Sequence, residues 1–175
     1  MNSIQSFTIS LTLSGGILLA QTSNPVNYLQ DQALSAAVEK IVESSKGSAT
    51  KTSELQNILS SAQFTVEDRV SSAKALALMP ESAGIDALIH SINETVHSED
   101  GTKQVAVDAL VLSGDTAIPK LLAFIDQTDY KESQASAVDA IVRITGDKYQ
   151  EFMESEKAAV SPKVFDALLR FGIKD

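Results

Sequence analysis

Ala106-Val107-Asp108-Ala109-Leu110-Val111-Leu112-Ser113-Gly114-Asp115-Thr116-Ala117-Ile118-Pro119-Lys120-Leu121-Leu122 is the stretch that decides the fold. Its first half places Ala106, Ala109 and Leu110 on one side of a helix, with Val105 just before them. Gly114 then suits a left-handed helix end, and Asp115 suits the start of a new helix. The second half carries Ile118, Leu121, Leu122 and Ile125 at helical spacing, with Pro119 inside the first turn where a missing N–H costs nothing. The whole stretch predicts two short helices joined by a tight link.

The pattern recurs. Val107-Asp108-Ala109-Leu110-Val111 matches Val138-Asp139-Ala140-Ile141-Val142 at an offset of 31. Lys74-Ala75-Leu76-Ala77-Leu78 matches Asp108-Ala109-Leu110-Val111-Leu112 at an offset of 34, and Phe165-Asp166-Ala167-Leu168-Leu169-Arg170 echoes Val138 to Arg143. Gly146-Asp147 repeats the Gly-Asp link. A period of this length, each unit a helix, a tight turn and a helix, marks an α-solenoid. One helix pair cannot bury its own apolar face, so neighbours must stack. The fold expected is all-α: a short solenoid of antiparallel helix pairs, about four units long with a weaker unit at each end.

Between these units the same signals divide the chain. Asn24-Pro25 opens a helix that carries Leu29, Ala33, Ala36, Ala37, Ile41 and Val42 inward and stops near Gly47. Leu55, Ile58, Leu59 and Ala62 define the next. Thr65 with Asp68 three residues on forms a capping box before Val70, Ala73, Leu76 and Ala77, a helix limited by Pro80. Ile85, Leu88, Ile89, Ile92 and Val96 follow. Asp129 and Glu132 bracket the start of a helix with Ala135, Val138, Ile141 and Val142. Ser161-Pro162 opens the last, with Phe165, Leu168 and Leu169 inward and Gly172 at its end.

Ala106–Leu122 resembles the short HEAT-like repeats of the phycobilisome lyase type, and matching units run from about Val66 to Thr145. The resemblance implies stacked helix pairs. It says little about activity, because that family spans bilin lyases, a metal-dependent hydroxylase and scaffold proteins. The hydroxylase branch carries repeated His-Glu dipeptides, which this sequence lacks. The resemblance also implies that the second helix of each pair lines a concave face. The residues for a partner are then Asp86, His90, Asn93, Glu94 and His97 on one helix, with Lys120 and Gln127 on or just after the helix that follows Gly114.

Composition narrows the chemistry. The chain has 175 residues, 14 Lys and Arg against 23 Asp and Glu, and a net charge of −9. Clustered phosphate contacts need cations, so nucleic acid and anionic lipid are disfavoured. There is no cysteine, which removes disulfides and thiolate chemistry. His90, Glu94 and His97 share a helix face, but an i to i+7 span of about 10 Å is too long for one ion. No metal or cofactor is expected. Without a Gly-x-Ser-x-Gly elbow or a phosphate-binding glycine pattern, no catalytic residue is assigned either. Asp108, Asp139 and Asp166 share one repeat position and read as solvent- or turn-facing. The expected function is a non-enzymatic scaffold or interaction module for a protein or peptide. The rival is a metal-binding or lyase-like accessory enzyme.

Residues 1–30 hold no charged side chain. Residues 1–20 read as a signal peptide, with Leu18-Leu19-Ala20 before Gln21 as the cleavage site, and residues 21–175 as the repeat domain. The leader lacks the usual Lys or Arg near Met1. A membrane anchor and a disordered or docked tail are the alternatives. The expected location is periplasmic or secreted, without membrane insertion of the mature chain.

Overall fold

The computed structural model describes residues 25–79, 82–94 and 101–172. Among them are ten α-helices and two 3-10 turns, and no strand. The helices are α1 (Pro25–Asp31), α2 (Ala36–Val42), α3 (Ser48–Ser60), α4 (Val66–Ala77), α5 (Ser82–Glu94), α6 (Thr102–Ser113), α7 (Ile118–Gln127), α8 (Lys131–Thr145), α9 (Tyr149–Glu156) and α10 (Pro162–Gly172). The signal-peptide reading falls on residues outside this range, as do Pro80, Val96 and His97. No helix among the described residues is long and apolar enough to cross a membrane.

Local signals explain most of the boundaries. Thr65 and Asp68 close a full capping box on α4: the Thr65 hydroxyl accepts the Asp68 N–H while the Asp68 carboxylate accepts the Thr65 N–H. Ser161 caps α10 by accepting the Val164 N–H. Gly114 and Gly146 end α6 and α8 with φ of 63° and 55° and ψ of −150° and −130°. That is a backbone region only glycine occupies cheaply. The two Gly-Asp links therefore share one geometry. Asp115, however, is not a helix cap. It lies in a 3-10 turn, Gly114–Ala117, and α7 starts only at Ile118. The chain tightens through a short turn before it can reverse.

The first expected helix is two. Its continuous apolar pattern from Leu29 to Val42 is broken between Asp31 and Ser35. Ala33, Ala36, Ala37 and Val42 are exposed, while Leu29 and Val38 are buried. Contacts from α4 explain the break. The Lys74 ammonium takes the carbonyls of Gln30 and Gln32, and the Ser71 hydroxyl takes the Ser35 N–H at 2.7 Å. Polar groups of α4 thus satisfy backbone atoms that a longer helix would satisfy itself. At the other end of the chain, Leu169 is 41% exposed, and Val164, Ala167 and Leu168 face the core instead.

The packing is between near neighbours. In one row, α4 packs on α6, α6 on α8, and α8 on α10. In the other, α3 packs on α5 and α5 on α7. The rows meet where α3 touches α4, α5 touches α6 and α7 touches α8, and α10 closes the end against both α7 and α8. The core between them is Leu55, Leu59, Leu76, Leu88, Ile92, Leu110, Leu121, Ile125, Ile141 and Leu168. Small residues set the spacing: Ala73, Ala106, Ala109, Ala137 and Ala140 are fully buried. Gly84 is the tightest point, because a Cβ there would lie 2.1 Å from the Leu76 carbonyl oxygen.

Candidate functional site

The apolar face of α5 fixes which of its residues look outward. Ile85, Leu88, Ile89 and Ile92 are buried, so Asp86 and His90, one turn apart, stand on the opposite side and are exposed. Lys120 of α7 reaches back to Asp86, with its ammonium 2.5 Å from the carboxylate. Three of the expected partner residues are therefore together. Lys120 is already neutralised by Asp86, a pairing that sequence spacing does not reveal.

The rest of the expected set is more dispersed. Asn93 is half-buried, and its Oδ1 is shielded from water with no hydrogen-bond partner among the described residues. Gln127 is exposed at the last turn of α7, about 10 Å along the axis from Lys120. Glu94 closes α5. His97 lies outside the described residues, so the proposed His90, Glu94 and His97 face is not assembled within them. No group of three or more metal-ligating side chains occurs among the described residues.

An open groove of about 420 Å³ runs beside Asp86 and His90, lined by Thr52, Gln56, Ala83 and Ala87. Thr52 and Gln56 belong to α3, which the sequence reading did not include in the site. Their helix lies before the recurring Ala-Leu segments, where no recurring sequence marks which side faces out.

A second polar cluster lies on the α4–α6–α8 row. Asp108 is only 3% exposed, which corrects its reading as a solvent- or turn-facing position. Tyr28 of α1 covers it and donates its hydroxyl to Oδ2 at 2.9 Å. Gln104 donates to Oδ1 at 2.9 Å, and an Arg143 guanidinium nitrogen lies 2.7 Å from the same oxygen, off the hydrogen-bond axis. Arg143 also reaches Asp139, one turn earlier on α8, at 3.4 Å. A buried carboxylate needs such compensation, since burial without a counter-charge costs several kcal/mol. Burial pushes the Tyr28 hydroxyl well above the ordinary tyrosine range, and the Asp108 charge and hydrogen bond push it further. The third member of the repeat position, Asp166, is exposed and pairs with Arg170 at 3.0 Å.

One cluster is an exposed polar face and the other is centred on a covered carboxylate, both carried by described helices packed in two rows, and that is the class of protein the fold and the site define. Comparison with protein-family models, with curated proteins and with solved structures finds no match to the chain.

Proposed function

We propose that the chain is a non-enzymatic interaction module, a short HEAT-like solenoid that presents the outer face of α3, α5 and α7 to a protein or peptide. The observation that carries the reading is the convergence of Thr52 and Gln56 of α3 with Asp86 and His90 of α5 around an open groove, with Lys120 of α7 paired to Asp86. A face of that kind offers hydrogen-bonding groups and a rigid backing but no reactive centre, which suits recognition.

Regular spacing of cross-helix bonds supports the solenoid part. Arg69 to Thr102 spans 33 residues, Lys120 to Asp86 spans 34 and Ser113 to Ala77 spans 36. Each joins a helix to the equivalent helix one repeat away, close to the period of the sequence. The matching geometry at Gly114 and Gly146 adds a second sign of repetition.

The test is a chain carrying His90→Glu and Glu94→Lys, compared with wild type in quantitative capture from the native host. Loss of the captured partner with unchanged far-UV circular dichroism is the expected result. Equal capture by both chains discards this face. Mass spectrometry of the same samples checks the leader, which predicts a mature chain starting at Gln21.

A further inference from the structure

We propose that the seam between α4 and α6 is a second peptide-binding surface, occupied in cis by the chain's own α1, and that the partner it fits is a short helix presenting adjacent tyrosine and leucine in the register of Tyr28 and Leu29. This surface is independent of the α3–α5–α7 face.

The seven residues of α1 pack on α4 and α6 and stand outside both rows. On α4, Ser71 faces the segment after α1, while Ser72 gives its hydroxyl to Leu55 of α3. Consecutive residues of a helix point about 100° apart, so α1 and α3 flank different sides of α4. The way α1 is held is the way a ligand helix is held. Leu29 is fully buried as an anchor. Tyr28 donates to a fixed acceptor, Asp108. Lys74 clamps the carbonyls of Gln30 and Gln32, groups that a helix end leaves without internal partners.

The buried polar groups of the seat keep partners without the occupant. When Tyr28 leaves, Asp108 keeps Gln104 and Arg143, so no buried charge is stranded. Lys74 passes to water. Ser35 remains pinned to Ser71, which confines the hinge to Gln32–Leu34, a stretch outside both α1 and α2. An open groove of about 450 Å³ adjoins the seat, lined by Gly101, Lys103, Gln104, Val107, Ser136 and Asp139. It shares Gln104 with the Asp108 cluster and lies on the α6–α8 side of it.

The probe is a fluorescent synthetic peptide with the sequence of residues 25–34, titrated by anisotropy onto the full chain and onto full-length Leu29→Ala and Tyr28→Phe variants. Both substitutions weaken the cis contact and leave the seat untouched. Each variant is expected to bind the peptide at least about tenfold more tightly than wild type, because apparent affinity scales with the fraction of open seats. A control peptide with alanine at both the tyrosine and leucine positions is expected to bind none of the chains. Equal binding to all three chains, no binding to any, or binding of the control peptide overturns the proposal. Hydrogen exchange on the wild-type chain gives a reading that needs no variant. Amides of residues 28–34 exchanging ahead of those in α4 and α6 supports a separately opening α1, and exchange in step with them overturns it.

Discussion

Glycine usually weakens a helix by about 0.5–1 kcal/mol relative to alanine. At Gly84 that rule reverses, because a Cβ would meet the Leu76 carbonyl oxygen at 2.1 Å and a backbone atom cannot swing aside. Gly84→Ala is expected to destabilise by about 1–3 kcal/mol, the usual cost of overpacking, measured by urea unfolding. Arg143 and Asp139 offer a second contrast. Arg143→Met leaves Asp108 buried with neutral partners only and is expected to cost about 3 kcal/mol, the low end for breaking a buried pair. Asp139→Asn removes a longer contact to the same guanidinium, and Asp139 is a third exposed. Its cost is expected to stay below about 1 kcal/mol.

Two tyrosines are expected to make the fold sensitive to alkali. Burial pushes the Tyr149 hydroxyl up to about 12 from its ordinary 10, and Tyr28 is raised too. A folded-state value above the unfolded one means that the native chain holds the proton more tightly. The resulting stability is fully present below pH 10 and is lost as the pH rises toward 12. Unfolding midpoints should therefore be flat to about pH 10 and fall beyond it. Tyr149→Phe should flatten part of that fall, at the expense of the hydrogen bond Tyr149 donates to Leu168. A midpoint that rises above pH 10 contradicts the assignment.

At the scale of elements, the links matter more than the helices they join. Gly114 and Gly146 have open space around them, so the cost of a side chain there is purely a backbone cost. Each Gly→Ala substitution is expected to lose about 1–3 kcal/mol, and the two losses should add, being one repeat apart. Markedly smaller losses would mean the links relax to another turn. Thr65→Ala should cost about 1 kcal/mol through its capping box. These elements were legible in the sequence because their causes are local: a hydroxyl and an acid three residues apart, or a glycine after a helical run. The break between α1 and α2 was not legible. Its cause, the pair Lys74 and Ser71, sits about 40 residues further on.

For the molecule as a whole, neighbour-on-neighbour packing predicts graded stability. In α4 to α8 each helix has neighbours on both sides of its row or across it, whereas α1, α2 and α9 pack on few. Amide exchange should be slowest around Leu76, Leu110 and Ile141 and faster toward both ends. Uniform protection from α2 to α10 would contradict that grading.

The apolar periodicity and the Gly-Asp links determined that the described residues are all-helical, where most helices start and stop, and which side of the central helices is buried. Those properties follow from local backbone and side-chain chemistry. The tertiary structure alone decided that Asp108 is covered, that Lys120 is held by Asp86, that α3 lends Thr52 and Gln56 to the groove, and that α1 lies across α4 and α6. The physical reason is the same in each case. Whether a polar residue faces water or a partner depends on which distant segment comes to rest on it, and helical periodicity carries no information about that.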